Sequence, residues 1–227
     1  HFMIRALFVL FSLNAFPSLA DTFDFEVLLN GKPIGHHKIT LSVDERGHQV
    51  VQGEADYRVK LLGITFFAYQ HQHREIWDDN CLQSLSTSTQ SNGELAQVTL
   101  TSSPEGYALT TLKEPKALTL DEQPCLWSYA YWRKDFTSQR QLMNGQTGQM
   151  SPVSFERRPP IEANPLNSGP VPEPSLGEAL ESAGFRYRLV TDDQTINVDY
   201  SSAGQWVGLQ VDLAPNRVLT YRLRKML

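Results

Sequence analysis

The chain predicts an all-β protein: a single antiparallel barrel or strongly curved sheet, meander-like, with one short helical or irregular aromatic segment. Three observations carry that reading. Runs in which apolar and polar residues alternate follow one another from Thr22 to Leu120 and again from Phe185 to Arg224, with hardly any stretch of helical period. The breaks between runs carry turn chemistry, above all Asn30-Gly31 and Asn92-Gly93, the pair that a tight hairpin with positive φ favours. Most connections are short, so consecutive strands are expected to be neighbours.

Phe23 to Leu29 reads as the first strand, turned by Asn30-Gly31-Lys32-Pro33 into Ile34 to Val43. The turn Asp44-Glu45-Arg46-Gly47 leads to Gln49–Val59. Phe66–Trp77 follows, then Asp78-Asp79-Asn80, a polar strand Leu82–Gln90, and the turn Ser91-Asn92-Gly93 into Glu94–Ser102. Pro104-Glu105-Gly106 turns again into Tyr107–Leu112. Between the third and fourth strands, Leu61-Leu62-Gly63-Ile64 belongs to the most apolar stretch outside the N-terminus. A buried corner with Gly63 at the bend is the expectation there, against an exposed tip that touches a membrane or partner.

Regularity breaks at Pro124-Cys125-Leu126-Trp127-Ser128-Tyr129-Ala130-Tyr131-Trp132, whose rings must be buried somewhere. Ordinary capping of the core by a short helix is expected, ahead of a plug across a barrel mouth. Seven of the thirteen prolines lie between Pro152 and Pro174, which predicts an exposed loop that is neither strand nor helix. Glu178 to Ser182 reads as a helical turn. Phe185–Val190, Thr195–Tyr200, Trp206–Leu213 and Arg217–Arg224 complete the strands, and no fixed-period repeat is visible. Arg217, Arg222, Arg224 and Lys225 read as the solvated face of that last strand.

Residues 3 to 20 have the layout of a secretory signal peptide: Arg5 as charged start, an apolar run from Ala6 to Phe16, and Ser18-Leu19-Ala20 as a small-x-small cleavage site. His1-Phe2 ahead of Met3 reads as an added remnant. Residues 21–227 are therefore expected to form a single exported, periplasmic β domain, with no second apolar segment of spanning length. Cys81 and Cys125, an even pair in an exported chain, are expected to form a disulfide. The formal net charge of -5 argues against nucleic acid as a partner. Partners are expected to be apolar, neutral or cationic, with peripheral membrane or envelope-protein contact as the larger-scale alternative.

Chemistry concentrates in Phe67-Ala68-Tyr69-Gln70-His71-Gln72-His73-Arg74-Glu75-Ile76-Trp77. A period of two puts Tyr69, His71, His73, Glu75 and Trp77 on one face, which the flanking rings mark as the inner one. Two imidazoles and a carboxylate then line the interior, and each needs a partner. His71 and His73 are also spaced like two ligands on a strand, with His36-His37 as the source of a third nitrogen. A fourth ligand and an outer shell are not recognisable, so no metal and no cofactor are expected. No Gly-x-Ser-x-Gly, phosphate loop or Gly-x-Gly-x-x-Gly is present, which leaves hydrolase and nucleotide readings without support.

Phe25 to Gly35, Tyr69 to Trp77 with its Glu-x-Trp end, Ser86 to Gly93 closing in Asn-Gly, and Tyr221-Arg222-Leu223 together resemble a family of exported proteins of Gram-negative bacteria, one of the domain-of-unknown-function groups. The resemblance spans most of residues 21–227. It implies a single antiparallel β structure with no established activity, and transfers no catalytic residue. The Pro-rich insert and Val198-Asp199-Tyr200 depart from the pattern. The expectation that follows is a barrel holding an apolar or amphipathic, lipid-like molecule against Tyr69, His71, His73, Glu75 and Trp77. The rivals are an envelope enzyme using His71 or His73 with Glu75 as acid and base, and a scaffold that pairs edge strands with a partner.

Overall fold

The computed structural model describes residues 20–61, 64–112, 115–118, 125–159 and 184–226. The expected signal segment, Leu62-Gly63, the proline-rich stretch from 160 onward and the turn at 178–182 lie outside these residues. Strand follows strand: β1 Asp21–Leu29, β2 Lys32–Val43, β3 Gln49–Leu61, β4 Ile64–Asp78, β5 Cys81–Ser91, β6 Glu94–Ser103, β7 Gly106–Thr111 and β8 Pro115–Leu118. A small hairpin, β9 Gln141–Met143 with β10 Met150–Pro152, stands apart. The chain then continues through β11 Ser154–Arg158, β12 Phe185–Val190, β13 Thr195–Tyr200, β14 Trp206–Ala214 and β15 Arg217–Met226.

All but the β9–β10 pair join one 13-stranded sheet in the order β11-β12-β13-β14-β15-β1-β2-β3-β4-β5-β6-β7-β8. Every pairing within it is antiparallel. The meander is thus interrupted once, where β15 returns to pair with β1 and sets both terminal strands in the middle of the sheet. Hairpin chemistry acts as anticipated at Asn30 and Gly31 (φ 49° and 75°) and at Asn92 and Gly93 (φ 49° and 89°).

Among the described residues the sheet is open, with β8 and β11 as its edges, and it is strongly curved. Its curvature is read from the core, because Leu82, Leu85, Leu100 and Leu109 of one arm share a single apolar cluster with Leu189, Val198 and Leu209 of the other. That closure of the two arms on each other buries both inner faces, which an alternating pattern requires.

The aromatic segment fills the space between the arms. Leu126, Trp127 and Ala130 are buried, and Cys125 bridges to Cys81 at the start of β5. The Leu126 carbonyl accepts from the Leu82 amide, while the Tyr131 carbonyl accepts from the Tyr200 hydroxyl on the far arm. The segment is an irregular crossbar rather than the expected capping helix, and the nearest helical element is a single 3-10 turn at Lys134–Ser138. Four aromatic rings and Leu126 in nine residues give it no one-sided pattern, so it is held by surroundings on both sides and not by an amphipathic stripe.

Two further expectations change. Ser154–Arg158 is a strand although it falls inside the proline-rich window, because the prolines flank it and an edge position needs backbone bonds on one side only. Ile64 and Phe66 are each 73% exposed, so the described part of the β3–β4 tip is an outward apolar end and not a buried corner. The last strand behaves as anticipated, with Arg217, Arg222, Arg224 and Lys225 all exposed.

Candidate functional site

Register decides what faces inward. On β4, His73 lies opposite Gly53 and His71 opposite Ala55 of β3, and across β3 those residues face Ile39 and His37 of β2. Gly53 and Ala55 are small, so His37 of β2 and His71 and His73 of β4 can lie over β3 and meet. The His73 ring covers Gly53 closely: a Cβ there would sit 1.9 Å from His73 Cε1. Ring centroids are 5.4 Å apart for His71 and His73 and 6.2 Å for His37 and His73.

These residues line a cavity of about 270 Å³. Its wall continues along β4 to Tyr69, which stacks on Tyr57 at 5.1 Å, and across to Tyr221, whose hydroxyl hydrogen-bonds that of Tyr57. The crossbar supplies the opposite wall through Ser128, Tyr131 and Trp132, and Trp132 stacks on His73 at 6.1 Å with the planes 11° apart. Gln146, Gln194 and Leu213 are exposed members of the lining and mark its rim.

The structure therefore brings Tyr69, His71, His73 and Glu75 to the cavity wall. Trp77 shares their face but lies deeper, 1% exposed, against Trp127 at a centroid distance of 5.0 Å and beneath the guanidinium of Arg133 at 4.6 Å. Its role is to hold Glu75: Trp77 Nε1 donates to Glu75 Oε2 at 2.7 Å, and Ser128 Oγ donates to both carboxyl oxygens at 3.0 and 3.1 Å. This ties the crossbar to β4. Burial raises the Glu75 pKa to about 7, against the opposing pull of the Trp77 and Ser128 bonds and of Arg133. No hydrogen bond links Glu75 to a histidine among the described residues.

The histidines are neutral. Desolvation lowers His71 to about 4; desolvation and then the neighbouring His71 lower His73 to about 3. His37 falls well below the usual range, first through burial and then through His73, His71 and His36. His71 Nδ1 pairs with Thr89 Oγ1 at 2.7 Å. Both nitrogens of His37, His73 Nε2 and Trp132 Nε1 are buried with no hydrogen-bond partner among the described residues. A buried unpaired polar group costs about 1–3 kcal/mol, so several together at one cavity stand out against the rule that such groups are satisfied. Among the described residues, no group of three or more His, Cys, Asp or Glu is arranged to hold a metal ion.

Sequence reasoning undervalued His37, Tyr57, Tyr221 and the crossbar residues Ser128 and Trp132. The alternation of β2 carries a signal for His37, which shares a face with Ile39 and Leu41. Contacts of Tyr221 and Ser128 across the interior have no local signature.

Fold and site define a β-barrel-like protein with a small aromatic, imidazole-lined interior cavity. The chain belongs to the family described as a domain of unknown function (DUF6134), whose model matches residues 25–224. Among solved structures it is similar to a beta-barrel-like protein of the domain of unknown function DUF1849 from Brucella abortus. The two share 12% sequence identity at a TM-score of 0.60, over 93% of this chain and 98% of that chain. At that identity the likeness concerns the fold alone. No curated protein matches the chain.

No helix among the described residues is long and apolar enough to cross a membrane. The Cys81–Cys125 bridge fits a chain that folds in an oxidising compartment.

Proposed function

We propose that this protein is a periplasmic binding or carrier protein that holds an apolar or amphipathic small molecule, lipid-like in character, in the cavity between β2–β4 and the crossbar. The observation that supports it most is the cavity itself, walled by rings and by unpartnered imidazoles instead of being filled by side chains. Its volume bounds the occupant. At the space a water takes in the liquid, about 270 Å³ corresponds to roughly nine non-hydrogen atoms. A ring or a short segment is enclosed, and a long acyl chain would extend past Gln146, Gln194 and Leu213. The test is native mass spectrometry of residues 21–227, exported to the periplasm and purified without detergent, followed by solvent extraction of anything bound. A stoichiometric small-molecule adduct supports the proposal; a bare mass together with no uptake of added amphiphiles overturns it.

A second reading rests on Glu75, whose raised pKa of about 7 suits a general acid or base at neutral pH. Under it, Glu75 acts with His71 or His73 on an envelope substrate. Glu75→Gln then abolishes turnover of the extracted ligand while binding persists.

A further inference from the structure

The exposed Ile64 and Phe66 adjoin residues outside the described ones, and nothing shows what covers them. The unpartnered ring nitrogens carry further, because their chemistry says what kind of molecule would satisfy them.

We propose that the cavity ligand is a compact, uncharged aromatic molecule carrying hydroxyl or amide groups, held by His37, His73 and Trp132. This rests on the binding reading above and names its ligand class.

Trp132 Nε1 can only donate, whereas a neutral imidazole donates from one nitrogen and accepts at the other. Both nitrogens of His37 are unpaired, so His37 offers one donor and one acceptor; His73 Nε2 adds a third position and Trp132 a further donor. A purely apolar ligand would leave all of them unsatisfied. A ligand with a hydroxyl or an amide supplies the donor and acceptor atoms they lack.

Charge argues the same way. The histidines are held neutral by burial, and Arg133, the cation facing Glu75, is turned to Gln49 Oε1, the Asp79 carbonyl and Asn80 Oδ1. No described lining residue is a lysine or arginine, so a carboxylate or phosphate would enter without a counter-charge from them. Ring shape follows from the walls: Tyr57, Tyr69, Tyr131, Trp132, Trp206 and Tyr221 line the cavity beside the imidazoles, a ring-rich wall that suits an aromatic ligand.

Calorimetric titration of purified residues 21–227 at pH 7 with matched probes tests this. 4-Hydroxybenzamide is neutral with both groups, 4-hydroxybenzoate is its anionic counterpart, and p-xylene is apolar with a similar outline. The expected result is 4-hydroxybenzamide binding about tenfold or more tightly than either of the others. His37→Leu is expected to remove that advantage without weakening p-xylene, and His37→Gln, which keeps a donor and an acceptor, to restore most of it. Equal or tighter binding of p-xylene or of 4-hydroxybenzoate overturns the proposal. So does tight Zn²⁺ binding that His37→Leu abolishes, since the imidazoles would then be metal ligands. If no ring probe binds but decanoate does, the ligand class fails while the binding proposal stands. If decanoate also fails and the native mass is bare, both fall.

Discussion

Replacing Glu75 by glutamine tests whether the interior holds a carboxyl protonated near neutral pH. Glu75 is 4% exposed and is gripped by Trp77 and Ser128, and burial moves its pKa from 4.5 to about 7. The folded protein keeps this proton at higher pH than the unfolded chain does. The associated stability is therefore full below pH 4.5 and is lost as pH rises through about 7. At about 1.4 kcal/mol per pH unit, a displacement of that size amounts to about 3 kcal/mol. Glutamine keeps an acceptor for Trp77 Nε1 and cannot ionise. The stability of Glu75→Gln relative to the parent should accordingly rise by about 3 kcal/mol between pH 4.5 and about 8, roughly 6–12 °C in Tm for a chain of this length. Urea denaturation of both proteins across that range measures the difference, in which titrating groups common to the two cancel. A difference that stays flat, or that moves against Glu75→Gln as pH rises, refutes the account of Glu75.

The histidines give the opposite trend. His71 and His73 have folded pKa values near 4 and 3, below the ordinary 6.5, so their contribution is complete above pH 6.5 and is lost as pH falls through those values. The parent should lose on the order of 2–3 kcal/mol per histidine on acidification toward pH 4, and His73→Phe should flatten that loss in the same denaturation series. Gly53→Ala puts a methyl where His73 Cε1 lies and is expected to cost about 1–3 kcal/mol and to displace the ring from the cavity, measured as a lower Tm and as weaker ligand uptake. Cys81→Ser with Cys125→Ser opens a loop of 44-residue separation and releases one end of the crossbar; chain entropy sets the loss near 4 kcal/mol, read from denaturation midpoints. Ile64→Ser with Phe66→Ser, both at the exposed tip, should leave stability within about 0.5 kcal/mol, measured by thermal melting.

Much of the architecture was legible along the chain because a strand is a local pattern. Alternation placed Tyr69, His71, His73 and Glu75 on the inner face of β4, and the Asn-Gly pairs at 30–31 and 92–93 marked hairpins whose positive φ those residues tolerate. The two cysteines announced their pairing by number alone. Where the local signal failed, a non-local partner was deciding. Ser154–Arg158 became a strand by pairing with β12, and the aromatic segment became a crossbar because β5 and β13 hold its two ends through Leu82 and Tyr200.

By itself the sequence determined the fold class, the long strands and the inward face of β4, since each depends on residues close together in the chain, while the short strands β8 to β11 escaped it. The tertiary structure alone decided that, among the described residues, the sheet stays open, Trp77 supports Glu75 from the core, and His37, His73 and Trp132 meet at one cavity with nitrogens unpaired. Those outcomes depend on which strands lie side by side and in what register. A shift of one residue between β3 and β4 would put His73 over the wrong neighbour and send every inward side chain to the other face, and no pattern within either strand records that choice.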